Sequence, residues 1–372
     1  MIKQDIKFDF DDLLIVPKGQ SSIETRSIID VYDNNGMLPL FTAPMDTVVG
    51  FQNLNIFKQN KIYPIIPRTI KPPFGTNEWV DEWNDVLWTD EWVALGLKDF
   101  ETIINSASSQ YFEFDNAIKR NVLIDIANGN MKKMHDLIVK SKNIYGDKLQ
   151  LMVGNVANPE TYRFVAEVAD YVRVGVGNGG GCLTSKNVGV GYPMASLISE
   201  CYEISCTLDK PAKIVADGGM KNYSDIIKAL GLGADMVMLG SILNRSLESI
   251  GETFKANVKH VGVETWTEPG EPVDQFSDDV KNAFLNGAKY YKKFRGMSTK
   301  SVQKSLGNEK LKTSEGVTRM NQVEYTLDGW IENFTHYLAS AMSYSGAKTL
   351  DDFIGKADFV KITQNSFNRF NK

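Results

Sequence analysis

Eight short apolar runs, each followed by a polar or glycine-rich break and then a helical pattern, limit what this chain can fold into. They are LPLFTA (38–43), IYPII (62–66), WVALGL (92–97), NVLIDIA (121–127), LQLMVG (149–154), YVRVGV (171–176), KIVAD (213–217) and MVMLG (236–240). Their interiors do not alternate between apolar and polar, as expected of strands covered on both faces in a parallel sheet. Between them lie amphipathic stretches with start and stop signals. NPETYRFVAEVAD (158–170) has a capping Asn and a Pro at the first helical position, and NYSDIIKALGLG (222–233) closes on Gly231 or Gly233. The same alternation could build a doubly wound open sheet, but eight units over some 250 residues favour an α/β protein of the (β/α)8 TIM-barrel type.

In a barrel, chemistry gathers where strands end. MDT follows the first run, ANGN the fourth, GNV the fifth, GNGGGC the sixth, DGG the seventh and GS the eighth. Glycines there let a ligand approach the backbone, and the loops after strands seven and eight commonly hold a phosphate. Cys182 follows six loop residues of which four are Gly. A free cysteine is usually a small buried hydrophobe, which is the reading for Cys201 and Cys206. Cys182 differs because backbone amides surround it and can stabilise a thiolate, while glycine carbonyls can coordinate a cation. Thr184 is placed to share that site.

Composition excludes several other functions. Forty-one basic against 46 acidic side chains leave a net charge of −5 with no basic run, so a nucleic-acid footprint is not expected. No apolar stretch nears the roughly 18 residues of a membrane span, and the opening MIKQDIKFDFDDLL lacks a signal-peptide core. Three cysteines and three scattered histidines have no metal-ligand spacing. A soluble, cytoplasmic protein is expected. Trp79, Trp83, Trp88 and Trp92 suggest a helical stripe, read either as a packing face or as a ligand-stacking surface. Residues 291–320 are polar and Lys-rich, and read as an exposed linker or a mobile flap over the site.

The ordered motifs DFDDLLIVPKGQS (9–21), APMDTV (43–48), IDIANG (124–129), GNV (154–156), GVGNGGGCLTS (175–185), VGVGYP (188–193), ADGGM (216–220), GADMVMLGS (233–241), FRGMS (294–298) and SEGV (314–317) resemble the IMP dehydrogenase/GMP reductase family along nearly the whole chain. The resemblance implies a single-domain (β/α)8 barrel with a flap near 296–316. It also implies a homotetramer, a purine nucleoside monophosphate substrate and a nicotinamide cofactor. By the same resemblance Cys182 is the nucleophile toward C2 of the purine, with Thr184 and Glu315 handling protons. Met45, Asp217, Gly218, Gly219, Gly240, Ser241, Arg295, Gly296 and Met297 correspond to substrate-binding positions. Among them Asp217 takes the ribose hydroxyls, Gly219, Gly240 and Ser241 the phosphate, and Met45 and Met297 the base. Asp125, Ala127 and Asn128 correspond to cofactor-binding positions, and the carbonyls of Gly177, Gly179 and Cys182 to K⁺ ligands.

The reductase branch fits better than the dehydrogenase branch. A dehydrogenase hydrolyses its covalent intermediate with a flap Arg–Tyr pair, and no Arg or Tyr occurs between Gly296 and Glu315. TSEGV, IDIANG and VGVGYP also look closer to the reductase motifs. Only about 20 residues separate Arg68 from Glu91, too few for an inserted pair of regulatory nucleotide-binding modules. The expectation is NADPH-dependent reductive deamination of GMP to IMP. The alternatives are oxidation of IMP to XMP with NAD, and a catalytically silent nucleotide binder. Three departures from the family pattern fall near the phosphate: Gly180 where a Ser is usual, Ser185 for Arg, and Phe294 for Tyr. They leave open a deoxynucleotide or modified purine as substrate.

Overall fold

The computed structural model describes residues 5–70, 91–105, 119–261, 264–307 and 310–370. All eight apolar runs form strands of one parallel sheet. These are β1 (Leu40–Thr42), β2 (Ile65–Ile66), β3 (Trp92–Leu95), β4 (Arg120–Asp125), β5 (Leu149–Val156), β6 (Tyr171–Val174), β7 (Lys213–Asp217) and β8 (Met236–Leu239). Their order is β1-β8-β7-β6-β5-β4-β3-β2. A parallel bridge between Phe41 and Tyr63 brings the two ends together, with Thr42 N donating to the Tyr63 carbonyl and Tyr63 N to that of Leu40, both at 3.0 Å. Pro64 has no N–H to give, so regular pairing of β2 starts only at Ile65. The Ile65 amide donates instead to Thr42 Oγ1 at 2.9 Å. The fold is a (β/α)8 barrel.

The helices follow the local signals. Asn158 accepts from the Glu160 amide at the head of Pro159–Ala166, and Asn222 from the Asp225 amide ahead of Tyr223–Gly231. Gly231 is the last helical residue, and Gly233 takes the positive φ just beyond it.

Two side-chain clusters stand inside the barrel. Toward the strand N-termini, Phe41, Tyr63, Trp92 and Tyr171 touch at ring-centroid distances of 5.3–6.0 Å, three of the contacts edge-to-face across strands that are not neighbours in the sheet and the Phe41–Tyr63 contact tilted. Above them Arg173 of β6 reaches Asp125 of β4 (Nη1 to Oδ1, 2.6 Å) and Asp217 of β7 (Nε to Oδ2, 3.0 Å). Arg68 lies 3.2 Å from the other Asp125 oxygen. The bottom is closed by apolar rings, so the polar end at the strand C-termini is left for chemistry.

Two expectations need correction. Trp92 begins strand β3 rather than completing a helical stripe; Trp79, Trp83 and Trp88 lie outside the described residues, as do residues 71–90 generally. The 291–320 stretch is not an exposed linker throughout. Together with the segment before it, it builds an antiparallel sheet of β9 (Thr253–Val261), β10 (Glu264–Val273), β11 (Tyr290–Arg295) and β12 (Thr318–Gln322), in the order β10-β9-β11-β12. In β11 Tyr290, Lys292 and Phe294 point inward and Tyr291, Lys293 and Arg295 are less buried. Period-two alternation with a lysine on the buried face reads as a polar run. The Lys292 ammonium is nevertheless fully buried, donating to the carbonyls of Leu247 (2.6 Å) and Ser249. Among the described residues no helix is long and apolar enough to cross a membrane.

Candidate active site

The loop leaving β6 can take its path only because of its glycines. Gly175 has φ +130°, and a Cβ there would stand 2.1 Å from the Asp217 carbonyl oxygen of the neighbouring strand end. The loop therefore lies directly on the end of β7. Its tip turns back through a hydrogen bond from the Cys182 amide to the Gly179 carbonyl at 2.9 Å.

Cys182 is half-buried. Its Sγ donates to Thr184 Oγ1 at 3.3 Å, and Thr184 Oγ1 donates to Glu315 Oε2 at 2.6 Å. Glu315 comes from a segment 131 positions further along the chain. Three backbone links hold that segment in place: Leu183 N to the Glu315 carbonyl (2.7 Å), Val317 N to that of Gly181 (3.1 Å), and Gly296 N to that of Val317 (2.9 Å). Gly296 and Val317 thus close the base of the predicted flap, whose descending side is fastened to the cysteine loop. A thiol, a hydroxyl and a carboxylate in series can move a proton to or from a group attacked by sulfur.

The remaining predicted substrate residues surround this relay. Asp217 Oδ2 accepts from Asn155 Nδ2 (2.7 Å) and Arg173 Nε (3.0 Å), and among the described residues Oδ1 has no hydrogen-bond partner, so it stays available. Arg173 in turn is held between two carboxylates. Burial works to lower the arginine's pKa, but the Asp217 and Asp125 carboxylates outweigh it and raise the value overall. Gly218 and Gly219 back onto Asn178 and Gly179 of the cysteine loop. Gly240 packs against the Met45 sulfur, and Ser241 Oγ lies 3.6 Å from where a Cβ of Gly180 would stand. An ion pair between Asp46 and Arg295 joins the stretch after β1 to the end of β11, so Met45 and Met297 are carried by segments clasped together.

The cofactor and cation positions are placed differently. Ala127 and Asn128 are exposed just beyond β4, whereas Asp125 is buried between Arg173 and Arg68. The Gly177 carbonyl accepts from Ser185 Oγ and the Gly179 carbonyl from the Cys182 amide, both at 2.9 Å, and each oxygen keeps a second lone pair. A cavity of 520 Å³ adjoins the loop at Gly177, Asn178 and Ser185, with Asp11, Tyr192 and Lys221 also on its wall. Cys182, Thr184 and Glu315 do not line it.

Sequence reasoning did not single out Arg173, Asn155, Arg68 or Asp46, which brace the residues above. A signal existed for Arg173, the only charge inside the apolar run YVRVGV. Asp46 and Asn155 lie in the strand-end motifs MDT and GNV, while Arg68 is recognisable only by its partner Asp125.

Residues 112–264 and 277–370 match the sequence model of the IMP dehydrogenase / GMP reductase domain. Similar proteins include a GMP reductase of Caenorhabditis elegans, 26% identical over 98% of this chain and 94% of its own length. A GMP reductase of Shewanella pealeana is 26% identical over 100% and 99%, and GMP reductase 2 of Bos taurus is 26% identical over 98% and 96%. With the domain match spanning more than half of the chain and the motif residues assembled at the strand ends, the protein belongs to the IMP dehydrogenase/GMP reductase family.

Proposed function

We propose that the protein is a GMP reductase that deaminates GMP reductively to IMP and ammonia. One observation carries this: the Cys182–Thr184–Glu315 relay is complete, yet between Gly296 and Glu315 there is no arginine or tyrosine to activate the water a dehydrogenase needs. The three full-length relatives named above bear the reductase name.

In this reading the Cys182 sulfur bonds to C2 of the guanine, and the C2–amino bond breaks. The departing nitrogen leaves as ammonia with protons delivered along Glu315 and Thr184. NADPH, when bound, supplies the hydride that C2 gains as the carbon–sulfur bond breaks and the thiolate is restored. Ala127 and Asn128 would hold the cofactor; both are exposed beyond β4, which suits a ligand entering from the open end of the barrel. Asp217 would take the ribose hydroxyls on its free Oδ1. Gly219, Gly240 and Ser241 would cradle the phosphate, with Met45 and Met297 beside the base and Gly218, Arg295 and Gly296 also in the substrate site. The carbonyls of Gly177, Gly179 and Cys182 would hold K⁺, using lone pairs the loop leaves over. The protein acts in the cytoplasm as a single-domain barrel in a homotetramer.

Absorbance at 340 nm tests the proposal. GMP plus NADPH should lower it, with IMP and ammonia appearing together. A rise with IMP plus NAD, and XMP as product, would overturn it in favour of the dehydrogenase; inertness in both assays would leave a nucleotide binder. Replacing K⁺ with tetramethylammonium should reduce the rate, whereas an unchanged rate would show that the loop's own hydrogen bonds suffice.

A further inference from the structure

The phosphate cradle of this chain is poor in side-chain donors. Gly180 has no side chain, Phe294 has no hydroxyl, and Ser241 Oγ is the only side-chain hydroxyl among the assigned cradle residues. A cationic side chain from a different element occupies the same corner. Arg319 stands on β12 directly across from Phe294 of β11, with its guanidinium 5.1 Å from the ring centroid. Its Nη1 donates to the Gly180 carbonyl at 3.1 Å and its Nε to Asn321 Oδ1 at 3.0 Å.

The group is braced from behind. Asn321 Nδ2 donates to Asn244 Oδ1 (2.8 Å), and Asn244 Nδ2 donates to the Thr47 carbonyl (2.7 Å), tying the arginine to the segments after β8 and β1. Among the described residues Nη2 has no hydrogen-bond partner. It lies 3.4 Å from the point where a Cβ of Gly180 would stand, and Ser241 Oγ lies 3.6 Å from that same point. Side-chain donors from β12 and from the segment after β8 thus converge on a space that a residue with a side chain at 180 would fill. Arg319 is exposed and so open to a ligand; partial desolvation of the guanidinium and the nearby Arg245 charge lower its pKa, and an anion placed there would offset both.

We infer that Arg319 is a substrate-binding residue whose Nη2, together with Ser241 Oγ, grips the phosphate of the nucleoside monophosphate. The inference rests on the cradle assignment made above. Its consequence is selectivity for the phosphorylated substrate: a guanidinium recognises phosphate by charge and by directed N–H donors, and does not distinguish ribose from deoxyribose.

Calorimetric titration with GMP and with guanosine tests this in the wild-type protein, Arg319→Met and Arg319→Lys. Arg319→Met keeps much of the stem that packs on Phe294 while removing the charge. It should weaken GMP binding about 10–100-fold, the usual worth of a hydrogen bond to a charged group, and leave guanosine affinity within about twofold. Arg319→Lys should recover part of the loss. In turnover, KM for GMP should rise far more than kcat falls. Equal weakening toward GMP and guanosine would overturn the inference, because it would mean that Arg319 only orders the loop through the Gly180 carbonyl. Unchanged GMP affinity in Arg319→Met would overturn it as well. If the wild-type protein itself does not prefer GMP to guanosine, the cradle assignment fails first, and that outcome is distinguishable from the other two.

Discussion

At the scale of single residues, the site depends on hydrogen bonds between groups that are ordinary alone. Glu315 matters through Thr184, which stands between it and the sulfur. Glu315→Gln keeps the shape but cannot exchange a proton at neutral pH. Ammonia release from GMP should fall about 10²–10⁴-fold, the usual worth of general acid–base help, with GMP affinity nearly unchanged; stopped-flow ammonia detection and equilibrium binding check the two halves. Lys292 shows the opposite case, a buried amine held for structure. Burial pushes its pKa down to about 7, with the Glu248 carboxylate opposing only in part. Its folded value lies below its unfolded one, so the unfolded chain binds more protons between about pH 7 and the ordinary lysine value of about 10.4. Conformational stability should therefore rise from pH 7 to 9 by this contribution. Lys292→Met should flatten that rise in urea midpoints measured at both pH values, and an identical rise in the variant would contradict the assignment.

At the scale of elements, the cysteine loop is shaped by what it leans on. Gly175→Ala would place a methyl group 2.1 Å from the Asp217 carbonyl oxygen and impose a positive φ on a residue with a side chain. The backbone strain alone is worth about 1–3 kcal/mol, and the clash forces the loop off the end of β7. The variant should melt at lower temperature, and its Cys182 should be alkylated at a changed rate because the Thr184 contact moves. The flap is likewise an element defined by its attachments. Its ends meet through Gly296 and Val317, and its far limb is zipped to Gly181 and Leu183. Glu315, which from sequence alone could be a solvated charge, is thereby held at the sulfur's partner.

At the scale of the whole molecule, a charged layer spans the barrel. Arg173 bridges Asp125 and Asp217, Arg68 flanks Asp125, and Asn155 completes the hold on Asp217, so residues on or following β2, β4, β5, β6 and β7 share one network. Removing one partner leaves buried charges uncompensated. Arg173→Met should destabilise the protein by about 3–5 kcal/mol, read from denaturant midpoints, with a larger loss of GMP affinity than of stability-corrected NADPH affinity because Asp217 loses its orientation. A cost below about 1 kcal/mol would show that water reaches and screens the layer.

The barrel and the strand-end location of the chemistry were legible in the eight apolar runs, because strands buried on both faces have no choice but to be apolar. The glycine-rich loop singled out Cys182 and Thr184 because such a loop lets backbone come close to something else, whereas Asp217 was singled out by the family resemblance; the structure brings the first two into contact and sets Asp217 at a strand end. The antiparallel sheet of β9 to β12 was not legible. Its strands carry lysines, glutamates and asparagines on alternating positions, and only the finished packing supplies the carbonyls that make Lys292 an inward-facing residue. Arg319 was equally silent, since nothing local separates it from any surface arginine until β12 pairs with β11 and carries it over Gly180. Local pattern decides which segments become strands and where the chain must be flexible. Contacts between segments more than a hundred positions apart depend on how the elements close, and only the tertiary structure decided that Glu315 meets Thr184 and that a guanidinium stands beside the space a side chain at 180 would fill.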